Sequence, residues 1–177
     1  MNIYDALRND HDEVKEMLTK LVSLDDDDVD TRKELVDDIR DALIPHSRAE
    51  EAVFYNALRE NQSDNGKVWH GFAEHAGAEA LLRTLQATDA VNFGWRATAE
   101  KLKESLEHHI EEEETELFAQ GRAVLSDQEA EMIGRAFESL KPKIQEESII
   151  GTTLEMVKNL MPPRFSKSLG LETPRTL

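Results

Sequence analysis

Four of the six histidines in this 177-residue chain stand where they could hold metal. His11, His46, His75 and His109 each fall on the apolar stripe of a different predicted helix. Three of them have a glutamate four residues on: His46–Glu50, His75–Glu79 and His109–Glu113. Positions i and i+4 of a helix share a face, with Cβ atoms ~6 Å apart. Three His/Glu pairs and one lone histidine therefore point into one interior. A buried glutamate is costly unless it meets a cation. Two divalent or trivalent ions would resolve that cost. Imidazole nitrogen with carboxylate oxygen suits non-haem iron, with zinc and manganese as alternatives. A lone histidine on an apolar stripe is ordinarily a satisfied core residue; four at once, one per helix, favour the metal reading.

The other two histidines act as a control. His108 is in phase with Lys101, Glu104 and Glu112, on a solvated face. His70 lies off the stripe of His75. The same phase argument applies within Glu111–Glu112–Glu113–Glu114. Glu113 follows Leu102, Leu106 and His109, while Glu114 lies ~100° round the helix. A local π-bulge would bring Glu114 in instead.

The elements that must position these residues are all helical. Eight glycines and five prolines are few for an all-β chain of this length. A first helix is expected over 3–23, with the stripe Tyr4, Leu7, His11, Val14, Leu18, Leu21. It should end at the Asp25–Asp28 run, whose like charges cannot pack and which lacks the central glycine of a calcium loop. A second helix is expected from Asp30 or Thr31 to Asn61, with Thr31 and Glu34 as a capping box. Pro45 predicts a kink just before His46. That kink would either set the angle of His46 and open a path to the metals, or be merely tolerated. A third helix is expected over 67–87 and a fourth over 91–121, ended by Gly121. A fifth, over 127–146, is capped by Ser126 and has sparse apolar positions, which place it outside the bundle. An amphipathic segment over 149–161 and an extended tail complete the chain. Short connections favour antiparallel neighbours. The expected fold is all-α: an antiparallel up-down four-helix bundle over 1–122, with additional C-terminal helices and a tail over 123–177.

Composition narrows the rest. There are 37 acidic and 21 basic residues, a formal charge of −16. Such a surface repels phosphate backbones and anionic membranes, so neither nucleic acid nor membrane is an expected partner. There are no cysteines, which excludes disulfides, thiolate zinc sites and iron–sulfur clusters. The charged N-terminus MNIYDALRND is unlike a secretory signal, so the cytoplasm is the expected compartment. No phosphate-binding glycine loop, nucleophile elbow or HExxH is present.

The stretches DALRNDHDEVKEML, IPHSRAEEAVFYNAL, EHAGAEALL and LEHHIEEEETELFAQGR, in that order, resemble the hemerythrin-like HHE cation-binding domain over about residues 3–122. The resemblance implies two non-haem irons inside the bundle, joined by an oxo or hydroxo bridge. It implies Glu50 and Glu113 as bridging carboxylates, His11 and His46 on one iron, and His75, Glu79 and His109 on the other. An open position would admit O₂, peroxide or NO. Oxygen-carrying members have a histidine where Glu79 stands, and an aspartate at i+5 from the histidine corresponding to His109. Glu79 as a ligand would add negative charge and lower the reduction potential, which argues against reversible O₂ transport. Alternatively Glu79 only supports His75 or His109. The expected activity is catalase-like peroxide decomposition or protection from oxidative stress. The alternatives are O₂, NO or iron sensing, with 123–177 as the output element, and iron storage. The oligomeric state is left open.

Overall fold

The computed structural model describes residues 1–61, 65–87 and 94–146. The expected segment 149–161 and the tail beyond it lie outside the described residues. Every described element is a helix, with no strand among them.

The first helix, Ile3–Ser23, is capped by Asn2, whose side chain accepts from the amide of Asp5 at 3.0 Å. Its whole predicted stripe is buried. The second helix runs Val29–Glu50, continues through a π-helical turn at Glu51–Tyr55 and ends in Asn56–Asn61. Its N-cap is Asp28, whose carboxylate accepts from the amide of Thr31 at 3.4 Å. The expected cap at Asp30 or Thr31 is therefore corrected: both residues already lie in the first turn. The helix is continuous through Pro45.

The third helix is Gly66–Ala87. The fourth runs Trp95–Glu112, passes through a second π-turn at Glu113–Leu117 and continues as Phe118–Val124. Gly121 does not end it. An added Cβ there would lie 2.8 Å from the hydroxyl of Tyr4 and 3.0 Å from the Phe54 ring, so this glycine permits a close approach. The fifth helix, Asp127–Glu146, starts at the predicted capping box. Glu129 accepts from the amide of Ser126 at 2.9 Å, and Ser126 Oγ accepts from the amide of Glu129 at 3.4 Å.

The first helix packs on the second and fourth, and the third packs on the same two. The fifth lies against the first and second. It is less peripheral than its sparse stripe suggests. Ala130, Ile133, Ala136, Phe137, Leu140 and Ile144 are buried with Ile3, Leu7, Phe54 and Phe118 in one apolar cluster. Gly134 lets this helix touch the N-terminal backbone: an added Cβ would lie 2.7 Å from Met1 O and 2.9 Å from Ile3 N.

A second apolar cluster gathers Val14, Leu18, Leu21, Leu43, Ala78, Leu82, Leu102 and Leu106. The candidate site separates the two clusters along each of the first four helices. In the first helix, Leu7 belongs to one cluster and Val14 to the other, with His11 between. In the third, Val68 and Ala78 flank His75 in the same order. In the second, Leu43 and Val53 flank His46 and Glu50 in the reverse order, as Leu106 and Leu117 do for His109 and Glu113 in the fourth. The core is thus two apolar plugs with a polar layer between them.

Candidate metal centre

The polar layer is built from His11, His46, Glu50, His75, His109 and Glu113, all buried. Glu50 is 0% exposed and Glu113 1%. Each glutamate reaches a histidine on its own helix and one on another. Glu50 Oε2 lies 3.7 Å from His46 Nε2 and 3.4 Å from His75 Nε2. Glu113 Oε2 lies 3.6 Å from His109 Nε2 and 3.5 Å from His11 Nε2. His75 Nε2 and His109 Nε2 are 3.0 Å apart.

These separations suit ligands that share an ion. Two donors at ~2.1 Å from one metal, set 90–110° apart, are themselves ~3.0–3.4 Å apart. Glu50, His75 and His109 offer three ligand atoms that all lie within 4.8 Å of one another. Both carboxylate oxygens of Glu50, both of Glu113, and His11 Nε2 are buried without a hydrogen-bond partner among the described residues. Leaving ionised carboxylates in that condition costs several kcal/mol each. A cation between them removes that cost, so the residues fit a metal centre.

Glu79 is not brought into this layer. Its carboxylate pairs with Arg48 at 2.7 Å and Arg83 at 2.5 Å. From His75 the interior line of the third helix runs through Ala78, Leu82 and Leu85, at i+3, i+7 and i+10. A residue at i+4 therefore falls on its flank, against Arg48 of the second helix. The charge argument against O₂ transport, which rested on Glu79, loses its basis.

Every imidazole is held from behind by a carboxylate. The Nδ1 of His11 lies 3.0 Å from Glu114, that of His46 3.0 Å from Asp10, that of His75 3.0 Å from Glu51, and that of His109 2.9 Å from Glu74. Such partners fix ring orientation and raise ligand basicity. The two π-turns explain how adjacent acids serve both layers. The first begins just after Glu50 and the second at Glu113 itself, and there Glu51 lies behind His75 and Glu114 against His11 while Glu50 and Glu113 stay inside. The bulge considered at Glu113 or Glu114 thus supplies both residues, in different roles. Side-chain donors sit at these irregular turns: Asn56 donates to Ala52 O at 3.1 Å and Thr115 to Glu111 O at 2.6 Å.

Sequence reasoning missed Asp10, Glu51 and Glu74. A signal was present as an internal repeat. An acid precedes a histidine at Asp10–His11 and Glu74–His75, and His-x-x-x-Glu-Glu recurs at His46–Glu51 and His109–Glu114.

The electrostatics follow from burial. Burial, and then the charge of Glu113, push Glu50 well above the usual carboxylate range. Burial opposes charge on Glu113 too, but proximity to Glu50 and His11 holds it low. Burial drives His46 down to about 4. It also works against His11, yet Glu113 and Glu114 raise that imidazole to about 9.

Two aromatic rings back the layer. Tyr55 stacks parallel on His75, with centroids 5.5 Å apart, and its buried hydroxyl has no hydrogen-bond partner among the described residues. Phe137 of the fifth helix meets His46 edge-on at 5.5 Å. A cavity of about 10 Å³ lies among the four histidines, walled by Val14, Leu43, Leu106 and Ile110.

Residues 2–120 match the hemerythrin HHE cation binding domain, and the chain belongs to that family. It is similar to a hemerythrin HHE cation binding domain-containing protein from Mycobacterium kansasii, whose crystal structure superposes with a TM-score of 0.71. That match covers 82% of this chain and 88% of the other at 24% identity, and it concerns the fold. The chain is also 29% identical over 146 residues to a protein of Nostoc sp. named DNA nickase. It spans only 41% of that relative's length. No helix among the described residues is long and apolar enough to cross a membrane.

Proposed function

We propose that this chain holds two non-haem irons and reacts with O₂ or hydrogen peroxide, in catalase-like decomposition or protection from oxidative stress. The observation that carries this reading is the set of buried, unpartnered ligand atoms on Glu50, Glu113 and His11, in the same layer as a cavity the size of one water molecule lined by the four histidines. A cavity that small admits O₂, peroxide or NO and excludes an organic substrate. His11 and His46 would serve one ion and His75 and His109 the other, with Glu50 and Glu113 as bridges. The helices carrying them are read as alternating up and down, supported by the reversed order of the two apolar clusters from each helix to the next.

When bound, the ion pair would supply the redox equivalents and a Lewis-acidic site for a small oxidant. The protein's part is to hold and shield. Asp10, Glu51, Glu74 and Glu114 orient the four imidazoles and raise their basicity, which favours the oxidised pair over a persistent reduced one. Val14, Leu43, Leu106 and Ile110 keep bulk water away.

Sensing is the second reading. Phe137 touches His46 and Lys141 holds Asp10 at 2.8 Å, so the fifth helix contacts the site directly. A change in occupancy has a route into the C-terminal part of the chain. Nicking of DNA is not carried over from the Nostoc relative, because a chain of charge −16 repels a phosphate backbone.

The test is metal analysis of the purified protein with its visible spectrum before and after peroxide. Two irons per chain and oxygen evolution support peroxide chemistry. Two irons without turnover move the reading to sensing or storage. Absence of iron after iron-replete growth overturns it.

A further inference from the structure

Three of the four carboxylates behind the histidines are themselves held by a fixed cationic side chain. Lys141 holds Asp10 at 2.8 Å, Arg8 holds Glu114 at 3.0 Å, and Arg48 holds Glu51 at 3.3 Å. The fourth corner differs. Glu74 Oε2 serves His109, but Oε1 faces His70 at 3.4 Å, and no lysine or arginine pairs with it among the described residues. Behind His70 stands another acid, Glu112, whose Oε2 lies 3.6 Å from the same His70 nitrogen. Glu112 Oε1 in turn lies 3.6 Å from His108 Nε2. One ligand atom from each of His70, Glu74 and Glu112 falls within 4.8 Å of the other two.

We infer that His70, Glu74 and Glu112 form a second cation site, at the surface, separate from the interior centre and sharing only the outer oxygen of Glu74 with its support. The cation takes the place that Lys141, Arg8 and Arg48 fill at the other three corners. One imidazole and two carboxylates select a borderline divalent ion such as zinc, cobalt or nickel over calcium or magnesium. Glu74 is pre-set by His109, so it needs no reorganisation. His70 is half-exposed, and Glu112 lies on the same solvated rim, so both close onto an ion by side-chain rotation. Lys67, 3.8 Å from Glu112 and 2.9 Å from Glu116, is the competing cation.

The experiment adds zinc chloride to the full-length protein as purified, removes unbound metal by desalting, and counts zinc and iron per chain. Wild type should take up one more zinc than H70A does, with the iron count unchanged in both. E112Q should lose the same zinc. Both substitutions lie at the surface, and a circular dichroism melt confirms folding. Equal zinc uptake by wild type and H70A overturns the site. So does an extra zinc that appears only as iron is lost, which places it in the interior. The readout is a difference of one ion between two variants, so it stands whichever metal fills the interior. Failure to find iron there would overturn the functional reading and leave this result intact.

Discussion

Asp10 stands one residue before His11 in the chain, yet its carboxylate holds His46, 3.0 Å from Nδ1, on the neighbouring helix. The same crossing recurs at Glu74, which precedes His75 and holds His109. Each of these acid–histidine dipeptides therefore serves two helices. It offers one ligand inward and clamps the ligand of its neighbour. Glu51 and Glu114 close the remaining two sides. The result is a ring in which no imidazole is oriented by its own helix.

This ring predicts graded losses of metal. D10N, E51Q, E74Q and E114Q should each retain the fold and weaken iron retention by roughly 10–100-fold. Competition with a chelator measures this directly. Unchanged retention in all four would show that the outer acids do not orient the ligands.

Glu79 and Glu113 make a sharper pair. E79Q should keep full iron, because its carboxylate pairs with Arg48 and Arg83. E113Q should lose iron, since its side chain lies between His11 and His109. Loss of iron in E79Q would return that residue to the ligand set.

Two helical glycines should respond in opposite senses. G121A forces a methyl to within 2.8 Å of the Tyr4 hydroxyl and should destabilise by ~1–3 kcal/mol. G77A meets nothing within 4 Å and should gain ~0.5–1 kcal/mol from reduced backbone freedom in a helix. Chemical denaturation of the two variants reads both signs. A G121A chain as stable as wild type would mean that the Tyr4 and Phe54 rings yield freely.

Alkaline pH offers a test through Tyr4. Burial pushes its hydroxyl from 10.0 to about 12, against the pull of Arg122. The folded value is above the unfolded one, so the stabilising contribution is complete below pH 10 and is lost as pH rises towards 12. Tyr55 is pushed up as well, by burial first and then by Glu50 and Glu113. The folded protein should therefore show no tyrosinate absorbance near pH 10, and Y4F should lose less stability than wild type between pH 10 and 12. A tyrosine ionising at its ordinary value in the folded chain would contradict this.

The fifth helix should be needed by the site. F137A removes the ring against His46 and should cost ~3–5 kcal/mol. Deleting residues 123–177 should weaken iron retention in addition, since Phe137 leaves His46 and Lys141 leaves Asp10 with it. An intact iron spectrum in the truncated chain would make the fifth helix an appendage.

Much of the interior was legible because periodicity reports a face. The stripe of the first helix, the four histidines and the i+4 glutamates at Glu50 and Glu113 all lie where a regular helix puts them. The misreadings occur where tertiary context decides. Gly121 reads as a helix terminator, and only the rings of Tyr4 and Phe54 reveal it as a close approach. Glu79 shares its spacing with Glu50, but the third helix turns Ala78 rather than Glu79 inward. Thr31 resembles a cap, yet Asp28 reaches its amide first. Glu51 and Glu114 lie in π-turns; from sequence the bulge is considered only at Glu114, and there as a route inward rather than to the back of His11.

The contact of Phe137 with His46, and of Lys141 with Asp10, also sets a timetable. All six buried residues of the polar layer have been synthesised once residue 113 has been added. At ~5–20 residues per second, the fifth helix follows within seconds, but it must also clear the ribosome before it can fold back on the first two helices. Gly134 then seats against the backbone of Met1, Asn2 and Ile3. A nascent chain before this point lacks Phe137 against His46 and Lys141 on Asp10. The last described helix to be made is therefore the one that completes the packing around His46 and Asp10.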